Sequence, residues 1–151
     1  MSSLHCVALG PTSYRDGLRL QEALVAARRR AREGAHPEAP AGRHAAGLSH
    51  DFLLFPDHPP VLTVGRAPSD DNLRVPRAAL EARGIEIFEV TRGGDITWHG
   101  PGQLVGYPIC DLEPQGRDLH RYLRNLELAL IDALASWGVE GRQVAGRTGI
   151  W

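Results

Sequence analysis

Lysine is absent from this chain. All 17 basic residues among its 151 are arginine, and 18 acidic residues bring the formal net charge to -1. No side chain can therefore act as a lysine base or form a Schiff base. The near-neutral balance gives no electrostatic reason to expect nucleic acid or a membrane surface as a partner, and we expect neither.

Cysteine and long hydrophobic runs are also scarce. Two cysteines, Cys6 and Cys110, are too few for a disulfide framework, which favours a reducing, cytoplasmic setting. No apolar stretch approaches the roughly 20 residues that span a bilayer, and the N-terminus lacks a signal-peptide pattern. With 42% hydrophobic residues, positions 1–151 suit a single domain that can bury a core.

Hydrophobic patterning predicts an α/β chain in which strands and helices mix. Strands are expected at residues 5–9, 52–55, 61–64, 85–90 and 104–111. Helices are expected from Tyr14, where Ser13 and Asp16 have capping-box spacing, at residues 76–83, and at residues 118–137. Residues 33–49 have no periodicity and predict a flexible loop or insertion.

Two of these elements carry more specific expectations. The last helix should pack broadly on the sheet through an apolar stripe, which comprises Leu119, Leu123, Leu126, Leu130, Ala133 and Trp137. The strands at 52–55 and 61–64 flank a proline-rich turn and predict a central hairpin. His58 in that turn either lines a cleft or faces solvent, and the sequence leaves both readings open.

The most unusual stretch is the link between the strands at 85–90 and 104–111. Its twelve residues, 92–103, include four glycines and a proline, whereas an ordinary hairpin needs two to five residues. Glycines allow close backbone approach to a ligand, Arg92 supplies a fixed charge, and His99 is of the one side-chain type whose unperturbed charge changes near neutral pH. We expect a binding site here.

Neither cysteine is a strong candidate nucleophile. Cys110 is predicted inside an apolar strand, where burial raises a thiol pKa, and Cys6 has only His5 as an adjacent base. The chain has no Gly-x-Ser-x-Gly elbow and no Gly-x-Gly-x-x-Gly or Walker pattern. The residues alone thus predict a soluble α/β domain with a glycine-rich Arg/His binding loop and no metal or cofactor site.

The loop also carries a family resemblance. Arg92-Gly93-Gly94, Thr97-Trp98-His99 and Gly102-Gln103, followed by Tyr107, resemble the signature of the bacterial octanoyltransferases, the lipoyl(octanoyl) transferases of lipoate biosynthesis. Further agreement lies, in chain order, at residues 20–22, 57–66, 72–73 and 146–151. The resemblance therefore spans nearly the whole chain, although Asp57 stands where the family usually has glutamate.

The resemblance implies a fold, an activity and a site. The fold would be a two-layer α+β domain with a mixed sheet and packed helices, similar to the catalytic domain of biotin and lipoate protein ligases. The enzyme would move an octanoyl group, through a cysteine thioester, from acyl carrier protein to a lysine of lipoyl domains in 2-oxoacid dehydrogenases and the glycine cleavage H protein. The implied substrate-binding residues are Arg92, Gly93, Gly94, Asp95, Ile96, Thr97, Trp98 and His99.

One departure from the family limits this reading. The family's lysine and acylated cysteine lie beyond the segment matched by residues 146–151, so no catalytic residue is assigned within this chain. We expect an incomplete, N-terminal portion of an octanoyltransferase that is inactive alone. The alternatives are a non-catalytic module that binds an acyl group or a partner, and an ATP-dependent lipoate or biotin ligase.

Overall fold

The computed structural model describes residues 3–33, 50–66, 72–113 and 116–151. It divides into two compact units, Met1–Cys110 and Asp111–Trp151, which are described separately. The predicted loop at 33–49 lies outside the described residues except for Glu33, which ends the first helix. The elements are β1 (Leu4–Pro11), α1 (Tyr14–Glu33), β2 (Asp51–Asp57), β3 (Val61–Val64), α2 (Arg77–Glu81), β4 (Glu86–Glu89), β5 (Ile96–His99), β6 (Tyr107–Ile109) and α3 (Leu119–Ala135).

The strands of the first unit form two three-stranded sheets. The first has the order β1-β2-β6, with β1 parallel and β6 antiparallel to β2. The second has the order β4-β3-β5, with β4 parallel and β5 antiparallel to β3. Both sheets are mixed, whereas the family resemblance implied one mixed sheet. The buried hydrophobic side chains are Leu54, Val61, Leu62, Val64, Leu80, Val105 and Ile109.

The predicted central hairpin is wrong. Its two strands, β2 and β3, are the central strands of different sheets. Pro59 and Pro60 have no amide hydrogen, so they cannot supply the ladder hydrogen bonds that close a hairpin. The short link from His58 to Pro60 instead carries the chain from one sheet to the other.

Helix α1 begins where the capping box predicts. The amide of Asp16 donates to the Ser13 hydroxyl oxygen at 3.1 Å, and this hydroxyl donates to the Asp16 carboxylate at 2.7 Å. Near the other end of the helix, Nη2 of Arg28 donates to Asp51 at 2.8 Å and to the Ile109 carbonyl at 3.4 Å. These bonds hold α1 against β2 and β6.

The predicted long loop contains a strand. Ile96–His99 is β5, which pairs with β3 in the second sheet, and the strand predicted at 104–111 is reduced to Tyr107–Ile109. Leu104, the first residue of the predicted strand, is 78% exposed. The β-branched and aromatic run Ile96-Thr97-Trp98 has high strand propensity, which the surrounding glycines obscured in the sequence. Pro108 lies in an edge strand, where the missing amide hydrogen of proline is tolerated.

In the second unit, α3 is capped by Asp118, whose carboxylate accepts from the Arg121 amide at 2.9 Å. Along its predicted apolar stripe, Leu119, Leu130 and Trp137 are all more than half exposed, and packing of this stripe on the sheet stays a prediction. The helix packs on the chain segment that returns beside it, and its contacting face carries Glu127, Ile131 and Leu134. These three residues are spaced by four and three positions, so they lie on the same side of the helix.

Residues 141–151 fold back on themselves. Gln143 and Ile150 form an isolated antiparallel bridge, and the backbones of Arg142 and Trp151 exchange two hydrogen bonds of 3.0 Å. None of the helices in the described ranges is long and apolar enough to cross a membrane.

Candidate functional site

Arg92 fastens the glycine-rich segment to β3. Its Nη2 donates to the Thr63 carbonyl at 2.8 Å, to the Thr63 hydroxyl at 2.9 Å and to the Asp95 carbonyl at 3.2 Å. Its Nη1 donates to the Gly93 carbonyl at 3.0 Å. The guanidinium is thus committed to holding the segment's own backbone. Its predicted role as a charge for a ligand stays a prediction.

The segment crosses the end of β3 at Gly65, where there is no room for a side chain. The Gly65 amide donates to the Asp95 carbonyl at 2.7 Å, and a Cβ at residue 65 would lie 2.2 Å from the Gly94 carbonyl oxygen. The Asp95 carboxylate accepts from the side-chain amide of Asn72. The glycines were predicted to let the backbone approach a ligand closely. At this point the close approach is instead between two parts of the chain.

Strand β5 presents the remaining predicted site residues in alternation. Thr97, Trp98 and His99 pair with Thr63, Leu62 and Val61, respectively, in antiparallel register. Trp98 is 45% exposed, whereas His99 is half-buried. Because neighbouring residues on a strand point to opposite faces, His99 and Trp98 face opposite sides of the second sheet.

His58 is buried, with 1% of its surface exposed. Its Nδ1 lies 2.7 Å from the Thr12 carbonyl oxygen, which can only accept, so Nδ1 carries the hydrogen. In the neutral ring Nε2 then accepts from the Tyr107 hydroxyl at 2.8 Å. The cleft reading of His58 is confirmed and the solvent-facing one is wrong. The ring borders a cavity of about 330 Å³ lined by Pro11, Thr12, Ser13, Asp57, His58, Pro59 and Pro101.

The two histidines and two tyrosines form one aromatic cluster. The ring of His58 lies 5.9 Å from that of His99 and 5.8 Å from that of Tyr107. Tyr14 stacks on His99 at 6.2 Å with an interplanar angle of 12°. Tyr14 was not predicted as a site residue, because in the sequence it stands out only as the first residue of a helix. Tyr107 was visible in the family signature, although no role was assigned to it.

Burial keeps both tyrosines of the cluster protonated. It raises the pKa of Tyr14, an effect that the positive charge of Arg92 partly opposes. Burial, and secondarily the neighbouring Tyr14, raises the pKa of Tyr107 to about 12. At neutral pH both phenols are protonated, and the Tyr107 hydroxyl donates to His58 Nε2.

The cysteines are placed differently from the prediction. Cys110 follows directly after β6 and is half-buried, so the prediction that it lies inside a buried strand is wrong, because the strand is shorter than predicted. Cys6 lies exposed on β1. Within the described ranges, no group of three or more His, Cys, Asp or Glu side chains is arranged to hold a metal ion.

Comparison with known proteins defines the class. Residues 13–151 match the lipoyl protein ligase A/B catalytic domain, so the chain belongs to that family. Among curated relatives, the octanoyltransferase of Geobacter sulfurreducens is 56% identical over 107 residues, which are 71% of this chain and 43% of the relative. The octanoyltransferase of Myxococcus xanthus is 40% identical over 151 residues, which are 100% of this chain and 38% of the relative. The chain thus spans less than half the length of these two relatives.

Solved structures agree on the fold. A bi-partite lipoate protein ligase from Thermoplasma acidophilum has a TM-score of 0.57 at 15% identity, covering 96% of this chain and 49% of that one. A lipoate-protein ligase A bound with ATP has a TM-score of 0.53 at 15% identity, covering 95% and 51%, respectively. The predicted likeness to the lipoate ligase catalytic fold is therefore confirmed.

Proposed function

We propose that this chain carries the substrate-binding part of an octanoyltransferase. Such an enzyme takes an octanoyl group from acyl carrier protein and attaches it to a lysine of a lipoyl domain. The observation that carries the proposal is the 40% identity to the Myxococcus xanthus octanoyltransferase, which extends over the whole chain. The lipoyl domains of 2-oxoacid dehydrogenases and of the glycine cleavage H protein are the proposed acceptors, and the cytoplasm is the proposed location.

The chemistry of the reaction fits the cluster. When an amine attacks a thioester, a C–N bond forms, the C–S bond breaks with its electron pair leaving on sulfur, and the nitrogen gives up a proton. A site for this step needs a hydrogen-bond acceptor within reach of the N–H of the attacking amine. His99 offers one at Nε2, which has no hydrogen-bond partner among the described residues. Its Nδ1 lies 2.7 Å from Gln103 Oε1, which can only accept, so in the neutral ring Nδ1 carries the hydrogen and Nε2 presents the lone pair.

The other residues of the segment 92–99 would shape the site without taking part in the chemistry. Arg92 holds the segment against Thr63, and Gly93 and Gly94 lie in the exposed turn before β5. Asp95, Ile96, Thr97 and Trp98 complete the proposed substrate-binding segment together with His99. We further propose that residues 1–151 belong to one incomplete catalytic domain, in keeping with the family match over 13–151.

A binding experiment tests the proposal. The chain is titrated with octanoyl-acyl carrier protein and with the unacylated carrier, and the heat of binding is measured. Each buried methylene contributes about 0.8 kcal/mol, so burying three of them makes the acylated carrier bind on the order of 50-fold more tightly. Equal affinity for the two carriers would refute an acyl-binding role.

A matched pair of histidine variants locates the site. His99→Asn should weaken binding of the octanoyl carrier, whereas His120→Asn, an exposed histidine on α3, should leave it unchanged. Equal effects of the two variants would argue against a site at His99. Binding without any acyl transfer is the outcome expected of the chain by itself.

Intact mass measurement after incubation with the octanoyl carrier separates binding from covalent catalysis. The 151 residues contain no lysine to favour a thiolate, so we expect no stable adduct. An octanoyl adduct on Cys6 or Cys110 would show that the chain supplies its own nucleophile. Consumption of ATP with free octanoate or lipoate would instead favour a ligase.

A further inference from the structure

We propose that Gln103 is a positioning residue that fixes which ring nitrogen of His99 carries the hydrogen. The relevance of this role to acyl transfer rests on the proposed function, but the role itself does not. It follows from a chain of three hydrogen-bonding groups: the Trp98 carbonyl, the Gln103 amide and the His99 imidazole.

The Trp98 carbonyl sets the orientation of the Gln103 amide. Gln103 Nε2 lies 3.3 Å from the Trp98 carbonyl oxygen, and Gln103 Oε1 lies 2.7 Å from His99 Nδ1. Rotating the amide by half a turn would place Oε1 against the carbonyl oxygen, and two acceptors cannot bond to each other. The amide therefore directs its NH2 group to Trp98 and its oxygen to His99.

The oriented amide in turn sets the tautomer of His99. Because Gln103 Oε1 can only accept, Nδ1 of His99 carries the hydrogen, and in the neutral ring Nε2 presents a lone pair. Among the described residues, no group is hydrogen-bonded to Nε2 of His99. The lone pair is thus available to a donor such as an amine N–H.

The sequence encodes this placement through a tight turn. The Gln103 amide donates to the Gly100 carbonyl at 3.1 Å, Pro101 occupies the second position, and Gly102 has φ +84° at the third. Proline followed by a residue of positive φ defines a type II turn, which favours glycine at the third position. The turn reverses the chain just after β5 and returns the Gln103 side chain to His99.

A purely structural role for Gln103 would predict something different. If the side chain only stabilised the turn through Trp98, its loss would loosen residues 100–103 without imposing a tautomer on His99. The nitrogen chemical shifts of the imidazole separate the two roles, since the protonated and unprotonated ring nitrogens of a neutral histidine resonate far apart. His58 serves as an internal control, because the Thr12 carbonyl fixes its tautomer independently.

The experiment is ¹⁵N NMR of histidine-labelled full chain at a pH where the rings are neutral. In the unmodified protein both His58 and His99 should carry the hydrogen on Nδ1. In Gln103→Met, which keeps length but removes both polar atoms, His99 should shift toward the Nε2–H tautomer while His58 stays unchanged. In Gln103→Glu, which keeps an acceptor for Nδ1 but loses the donor to Trp98, His99 should retain Nδ1–H.

Gly102→Ala gives a second route to the same answer. It leaves the side chains of Gln103 and His99 intact but strains the turn at φ +84°, so His99 should again lose its preference for Nδ1–H. The proposal is overturned if His99 keeps Nδ1–H in Gln103→Met, or carries the hydrogen on Nε2 in the unmodified protein. No substrate is involved, so a failure to bind octanoyl carrier would refute the proposed function and leave this result standing.

Discussion

Replacing Tyr107 by phenylalanine removes one buried hydrogen bond without opening a cavity. The lost hydroxyl donates to His58 Nε2 at 2.8 Å, and His58 is 1% exposed, so this acceptor loses its partner inside the fold. An unsatisfied buried acceptor costs about 1–3 kcal/mol. A loss of about 2 kcal/mol lowers the melting temperature of a chain of this size by roughly 4–8 °C.

Tyr14→Phe is the matched control for this prediction. The Tyr14 hydroxyl has no hydrogen-bond partner among the described residues and is not a buried unpartnered atom. Removing it should therefore change stability by less than about 0.5 kcal/mol. Amide hydrogen exchange of β3, whose four residues are all buried, reports on this unit alone. Equal protection losses in the two variants would refute the assignment of the Tyr107 hydroxyl as the donor to His58.

Three further perturbations have expected outcomes. The pKa of Tyr107 is raised from 10.0 to about 12. Its contribution to the free energy of unfolding is therefore present below pH about 10 and is lost as the pH rises through about 12. Tyrosinate absorbance and unfolding followed together should show this loss, and Tyr107→Phe should abolish it. Gly65→Ala would place Cβ 2.2 Å from a carbonyl oxygen, which should destabilise the first unit by at least about 3 kcal/mol in thermal unfolding, whereas Gly93→Ala, with open space around it, should be tolerated. Glu127→Gln should expose the amide of the returning segment to exchange and cost about 1–3 kcal/mol, whereas the exposed Asp132→Asn should not.

Local sequence chemistry predicted what is local in the structure. The capping box at Ser13 and Asp16 marked the start of α1, and Pro108 lies in an edge strand, as the missing amide hydrogen of proline favours. Both rest on hydrogen bonds made or lost within a few residues. Such signals are complete in the sequence, because the partner groups are near neighbours in the chain.

Partner choice over long distances was not predictable in the same way. The hairpin of β2 and β3 failed because each strand finds partners far along the chain, β1 and β6 for one, β4 and β5 for the other. The leucine stripe of α3 shows a related limit. Periodicity identifies an apolar face but does not say what covers it, and the segment that returns beside α3 packs on the face with Glu127.

Contacts between residues far apart in the chain were also not predictable for the aromatic cluster of the candidate site. Tyr14, His58, His99 and Tyr107 are contributed by a helix start, an inter-sheet link and two strands. The sequence reading selected two of them as candidates, His58 for its proline neighbours and His99 for its glycine neighbours. It could not place their rings 5.9 Å apart, because that distance depends on the packing of two sheets.

The two histidines of the cluster differ in whether Nε2 is already hydrogen-bonded within the protein. Backbone carbonyls determine both tautomers, that of Thr12 directly for His58 and that of Trp98 through Gln103 for His99. Each ring therefore presents Nε2 as an acceptor. For His58 that acceptor is used by the Tyr107 hydroxyl, whereas for His99 it has no partner in the described part of the chain. His58 thus serves the fold, and His99 is the imidazole whose lone pair we propose to meet a substrate.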